Sequence, residues 1–255
     1  MGRPLRIRFY EPNTIIHVMS KTAGGAFLLE SDVVKMRFLI ILKGLLGAFS
    51  FKLVGFTIMD NHFHLLLEAE DINDLRDEEV LERVGEAGIY KRLFLLKDVL
   101  SLRRRLSDLS EFMKNLKERF SKWFNREFDR YGYFWGGRYK SVVVEGGDAF
   151  RICKGYIEMN PVNAGIVGSP EEYKFSSCGE MGEFMGIEGD GVVEVDECLM
   201  GGEISQLEDG LAFGSLDFIR RFHDRFVDKL KLKRLRNYKP FTKRKSFFSF
   251  INTRG

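Results

Sequence analysis

The sequence predicts an α+β fold in which one antiparallel sheet carries helices packed on a face. Three observations predict it. Short β-type runs occur at residues 15–22, 51–59 and 62–68. Two longer segments, 33–46 and 109–128, repeat apolar residues at helical spacing. Only Asp60-Asn61 lies between the second and third β-type runs near Met59, which suits a hairpin turn or bulge and hence antiparallel pairing.

The chain has 255 residues, enough for one large domain or one domain with an appendage. A hydrophobic content of 44% with 30% charged residues is that of a soluble globular protein. No run approaches the roughly 18 uninterrupted apolar residues of a membrane span. The first eight residues lack the apolar core of a secretory signal. Cys153, Cys178 and Cys198 are scattered and odd in number, which fits a reducing cytoplasm. A cytoplasmic protein with no membrane partner is therefore expected.

Taken in order, Arg3, Arg6 and Arg8 make a basic arm. The first strand follows and ends at a Gly24-Gly25 turn. Ser31 or Asp32 can cap the first helix. Val33, Val34, Met36, Phe38, Leu39, Ile40, Leu42 and Leu45 make it apolar over much of its circumference, so it should be well buried. In the third strand, His62, His64 and Leu66 share one face and Phe63, Leu65 and Leu67 the other, because strand side chains alternate. Imidazole is the commonest protein metal ligand. A pair two residues apart on a rigid strand fixes two ligand directions at little entropic cost. The chain has four histidines, and two fall here, which favours a site over a pair of satisfied core residues.

Residues 71–110 are charged and mostly helical in pattern. Asp77-Glu78-Glu79 stands where a helix start prefers negative charge, and Arg103-Arg104-Arg105 reads as a solvated face. In the long helix after it, Leu109, Phe112, Met113, Leu116, Phe120, Trp123 and Phe124 recur as core. Lys114, Lys117, Arg119, Lys122 and Arg126 lie between them on the remaining surface. The glycine-rich loop 130–140 carries Tyr131, Tyr133, Trp135, Arg138 and Lys140. Rings stack on unpaired bases and cations hold phosphate, so this composition suits single-stranded nucleic acid. A loop pinned to the core by its aromatics has the same composition.

Residues 141–145 form a short β-branched strand, broken by Gly146-Gly147. Asp148 can cap a helix over 149–160, and Pro161 ends it. Tyr156 and Asn160 lie four apart on that helix and face the same way. A phenol, with a pKa of about 10, needs a cation or base to become a nucleophile. An amide oxygen one turn away could ligate a hard metal. The plainer reading is a half-buried tyrosine and a helix-capping asparagine. Residues 180–214 then hold acidic groups and no Lys or Arg, and 215–255 are strongly basic. That is the pattern of an acidic linker before a basic tail, which either faces nucleic acid or folds back onto the linker.

Four segments in order resemble one family. Met59-Asp60-Asn61-His62-Phe63-His64-Leu65-Leu66 resembles the M-P-N-H-x-H-L-L segment of the HUH single-tyrosine transposases. Residues 112–125 and 132–140 resemble the family's M-x-x-L…Y-F-N and G-x-x-W-x-G-R-[FY]-K-S segments. Tyr156-Ile157-Glu158-Met159-Asn160-Pro161-Val162-Asn163-Ala164-Gly165 resembles Y-I-x-x-N-P-V-x-A-G. Ile15-Ile16-His17-Val18 resembles the opening Y-H-V strand. The order and spacing resemble the REP-associated tyrosine transposase branch over roughly residues 5–178. Two departures stand out: Asp60 replaces the usual proline before Asn-His, and Phe120 stands where many members have Tyr.

The resemblance implies a ferredoxin-like catalytic domain over residues 1–178, with a helical insertion at 71–110 and a charged extension at 179–255. It implies Mg²⁺ or Mn²⁺ held by His62, His64 and Asn160. It implies Tyr156 as the nucleophile that cleaves and rejoins single-stranded DNA through a 5′-phosphotyrosine. The DNA partner would be hairpin-containing, held by Arg3, Arg6, Arg8, Lys114, Lys117, Arg119, Lys122, Trp135, Arg138 and Lys140. Monomer and homodimer both stay open. The alternatives are a non-catalytic nucleic-acid-binding descendant of the fold and a metal-dependent single-strand nuclease.

Overall fold

Among the described residues, β1 (Ile15–Lys21) is the central strand of a five-stranded sheet. The computed structural model describes residues 10–187, 212–215, 217–219 and 221–222. α1 (Asp32–Leu46) leads from β1 to the hairpin of β2 (Phe51–Ile58) and β3 (His62–Ala69). The segment after it folds as α2 (Asp77–Ala87), α3 (Lys91–Leu95) and α4 (Val99–Leu106). α5 (Leu109–Glu127) returns the chain to β4 (Lys140–Val144). Then come α6 (Asp148–Glu158), α7 (Asn160–Asn163), α8 (Glu180–Phe184) and β5 (Ala212–Phe213).

The sheet order is β2-β3-β1-β4-β5. β1, β2, β3 and β4 pair antiparallel, and their βαββαβ connectivity is the ferredoxin-like arrangement. β5 departs from the expectation of a purely antiparallel sheet, because it pairs parallel to β4. It also brings residues beyond 178 into the sheet.

Strand alternation decides what each face buries. Phe63, Leu65 and Leu67 pack with Phe38, Leu39 and Leu42 of α1 and Phe112, Leu116 and Phe120 of α5 in the main core. Each such side chain contributes about 1.5–3 kcal/mol by leaving water. Phe120 is fully buried in this cluster, so a phenol there would need a buried partner. The second face is not left open, as a sheet with helices on a single face would have it. Leu66, Val142 and Val144 pack there against Ala149, Cys153, Tyr156 and Ile157 of α6. Helices therefore cover both faces, and the histidine face lies beneath α6.

The 71–110 segment docks on α5 through buried Leu102 and Leu106 and a Tyr90 hydroxyl that donates to Glu111 at 3.0 Å. Arg103 is not a solvated residue as its run suggested. Its guanidinium donates to the Leu75 carbonyl at 2.6 Å and pairs with Asp77 at 2.7 Å. Among the described residues, no helix is long and apolar enough to cross a membrane.

Asp60, in the β2–β3 turn, pairs through Oδ1 with the Lys35 ammonium at 2.6 Å. Lys35 is buried, and burial is the largest single influence on it, pulling its pKa down. The Asp60 hydrogen bond and the Tyr173 phenol together outweigh that, and its pKa rises above the ordinary lysine value. The pair anchors the turn that delivers His62 to a charge on α1. Asp60→Ala should lower the unfolding free energy by about 2 kcal/mol, because it strips a charged partner from a buried ammonium. A urea titration with an unchanged midpoint would contradict this.

Candidate active site

The site is assembled on the α6 face of the sheet. The β1–β3 register sets Met19 opposite His64 and His17 opposite Leu66, so His17 and His64 are diagonal neighbours on one face. The His17 Nε2 and His64 Nδ1 atoms lie 2.8 Å apart. Both rings are about 1% exposed. The His62 and His64 ring centroids are 5.1 Å apart and mutually perpendicular. The Tyr156 ring stands edge-on to His64 at 5.7 Å and to His17 at 6.1 Å. The helix residue and the strand pair picked out from the sequence thus meet.

A backbone defect holds Tyr156 there. Pro161 has no N–H, so the Ile157 carbonyl cannot receive its usual helical bond. α6 accordingly stops at Glu158, and Pro161 enters the first turn of α7, rather than one helix running to Asn160. The Thr57 hydroxyl, from the β2 position opposite His64, donates to the Ile157 carbonyl at 2.8 Å in place of the missing amide. A second tie joins Ser177 Oγ to Glu158 Oε1 at 2.8 Å. Thr57→Val keeps the shape and removes the donor, so it should cost about 1–3 kcal/mol. It should also loosen Tyr156 from the histidines while leaving the imidazole pair in place. Unchanged thermal stability in Thr57→Val would count against this tie.

The donor chemistry can be tested on the imidazoles themselves. The Asn61 side-chain nitrogen donates to the Gly25 carbonyl at 3.2 Å, which turns its oxygen toward His62 Nδ1 at 2.6 Å. An amide oxygen only accepts, so His62 carries a proton on Nδ1, and in the neutral ring Nε2 is then the nitrogen that can ligate a metal. For His64, burial above all, then the neighbouring His17, His62 and Lys21, holds the pKa well below the ordinary value. Its ring is neutral near pH 7, as a ligand must be. Asn160 uses Nδ2 to donate to the Tyr156 carbonyl at 2.8 Å, so Oδ1 is the atom it could offer to a metal. Among the described residues, no three His, Cys, Asp or Glu side chains gather into a metal cluster. Two imidazoles and an amide fit a divalent cation only as a partial set, one that oxygen atoms of a bound phosphate would complete.

Among the described residues, no thiol is disposed to ionise in competition with the phenol. Burial pushes the Cys153 thiol up, and burial followed by Glu158 does the same to Cys178.

The other expected residues divide. Arg3, Arg6 and Arg8 lie outside the described residues. Lys114 and Lys122 are exposed on α5, the latter beside Glu118 at 4.0 Å. Arg138 and Lys140 are exposed at the loop's end. Lys117, Arg119 and Trp135 are instead occupied within the fold. Lys117 donates to Ser20 Oγ at 2.8 Å and to the Gly137 carbonyl at 2.7 Å. Arg119 caps α2 through the Ala87 carbonyl at 2.9 Å. The Trp135 ring packs among Phe38, Phe63, Phe120 and Phe134 and donates to the Lys117 carbonyl at 3.1 Å. The next residue must be glycine, because a Cβ on Gly136 would sit 2.7 Å from the Thr22 carbonyl oxygen.

Sequence reasoning missed His17, Thr57 and Lys21 as site residues. Lys21 is exposed opposite His62 and close enough to depress His64. It also gave Tyr131 and Tyr133 no more weight than Trp135, yet both are 88% exposed. Alternation along residues 15–21 signals that His17, Met19 and Lys21 share a face; only the register tells which neighbours they meet.

Comparison with known proteins finds no matching family model and no matching curated protein. Among solved structures, the chain is similar to a REP-associated tyrosine transposase bound to a REP hairpin, at 13% sequence identity and a TM-score of 0.49, over 77% of this chain and 93% of that one.

Proposed function

We propose that this chain cleaves and rejoins single-stranded DNA through Tyr156. The observation that carries the reading is the Tyr156 ring set edge-on against His64, 5.7 Å away, on a face that also holds His62. The motif resemblance in residues 59–67 and 156–165 supports it. His62, His64 and Asn160 would hold Mg²⁺ or Mn²⁺. When bound, such a cation offsets the charge that builds on the phosphate oxygens as the bond changes.

The chain's own residues do the rest. The Thr57 and Ser177 ties fix the α6 backbone from which Tyr156 projects, so little ordering entropy remains at reaction. The Tyr156 oxygen gives up its proton and bonds to phosphorus. The bond from phosphorus to the 3′-oxygen breaks, and that oxygen leaves as a hydroxyl on taking a proton. The 5′ side stays as a phosphotyrosine. A second 3′-hydroxyl attacks the same phosphorus, loses its proton and returns one to the phenol. One phosphodiester is consumed and one made, so no external energy source is required. Lys21, Lys140 and Arg138, all exposed, are the cations that would steady the strand near the histidines. Tyr131 and Tyr133 are the rings that would stack on its bases.

The test is incubation with labelled single-stranded hairpin DNA and Mn²⁺, followed by denaturing electrophoresis. A DNA-linked protein band that survives detergent supports the reading. One observation favours a second reading: Tyr156 is only 6% exposed, as in a DNA-binding descendant that has lost strand transfer. Such a protein would bind the hairpin and give no covalent product with any divalent metal. A water-using nuclease would cut and leave no adduct.

A further inference from the structure

We propose that His17 is a positioning residue that accepts the Nδ1 proton of His64 and so fixes His64 with its lone pair on Nε2. The inference rests on the metal-assisted reading above and deepens it. Two facts carry it. The His17 Nε2 and His64 Nδ1 atoms are 2.8 Å apart, and both rings are sealed from water at about 1% exposure.

Two imidazole nitrogens joined in this way share one proton, so one donates and the other accepts. If His64 accepts, its own proton sits on Nε2, and that N–H faces any cation with the wrong charge. If His64 donates, Nε2 offers a lone pair. In the second case His64 matches His62, whose Nδ1 proton is already committed to Asn61 Oδ1 at 2.6 Å. Each strand imidazole then has its inner nitrogen engaged by a protein acceptor and its outer nitrogen prepared for a metal. Acceptors of this kind orient metal-binding histidines and raise their basicity. The ring planes of His17 and His64 differ by 14°, and their centroids are 5.1 Å apart, so neighbouring strands hold the bond in one geometry.

The first test uses the full chain without DNA. Ring ¹⁵N spectra are assigned with single His-to-Gln variants, which is tractable for four histidines. The expected result is His64 protonated on Nδ1. His17→Gln, which keeps an acceptor oxygen, should preserve that tautomer, and His17→Leu should lose it. Mn²⁺ affinity, read by the electron paramagnetic signal of free ion, should fall about 10- to 100-fold in His17→Leu and stay near wild type in His17→Gln. Wild-type His64 protonated on Nε2 overturns the proposal, and that measurement requires no variant to fold. So does a His17→Leu protein that keeps both the tautomer and the affinity, or a wild-type protein that binds no Mn²⁺. None of these readouts involves Tyr156. A missing covalent adduct with the tautomer and affinity as expected would sink the strand-transfer reading alone.

Discussion

Tyr156→Phe is expected to abolish the covalent protein–DNA product and to cut strand cleavage by on the order of 10⁵-fold, the scale on which removing a nucleophile acts. Only one oxygen is lost. The ring remains packed against Leu66, Val142 and Ile157, so the fold and the affinity for hairpin DNA should persist. That separation is the diagnostic part. A variant that neither binds nor cleaves has lost its structure, and one that binds without reacting has lost its nucleophile. A Tyr156→Phe protein that still yields a denaturant-resistant DNA adduct would refute the assignment. One that still cuts without an adduct would transfer the reaction to activated water.

His64→Ala should have the second largest effect, and on two quantities together. It removes the proposed ligand at the centre of the histidine cluster. The loss of several kcal/mol of charge stabilisation corresponds to a fall in cleavage on the order of 10³-fold. It also strands the His17 ring nitrogen in a buried place and opens a void, which should lower stability by roughly 2–3 kcal/mol. His62→Ala should behave differently. His62 is half-buried, and its Asn61 partner sits at the turn, so activity should fall with little change in unfolding midpoint. Equal destabilisation by the two substitutions, read by urea titration, would contradict the division of roles. Full Mn²⁺-dependent cleavage in His64→Ala would exclude it from the site.

The strands and long helices were legible because their signals are local. Residues 62–68 alternate, 109–128 repeat at helical spacing, and the structure places β3 at His62–Ala69 and α5 at Leu109–Glu127. His64 and Tyr156 could each be singled out by residue type and motif resemblance. His17 and Thr57 could not, because their roles exist only across strands. A serine at position 17 would leave the β-pattern of residues 15–21 unchanged, and nothing local says that its neighbour is His64. Thr57 matters because Pro161 orphans the Ile157 carbonyl, which lies 100 positions beyond Thr57 in the chain. The loop 130–140 failed for another reason. Stacking on bases and packing into a core ask for the same rings and cations. Composition alone cannot separate Trp135, which is half-buried against the core, from Tyr131 and Tyr133, which are exposed.

The parallel fifth strand bears on how the chain is made. Val143 and Ala212, paired in the finished sheet, are 212 − 143 = 69 positions apart. As translation proceeds, the outer rim of the fourth strand emerges from the ribosome long before the segment that will cover it. An uncovered rim of that kind is a template for pairing with other nascent copies. The three valines of that rim raise the hazard, and its short length, five residues beginning at Lys140, limits it while the remainder of the polypeptide is synthesised.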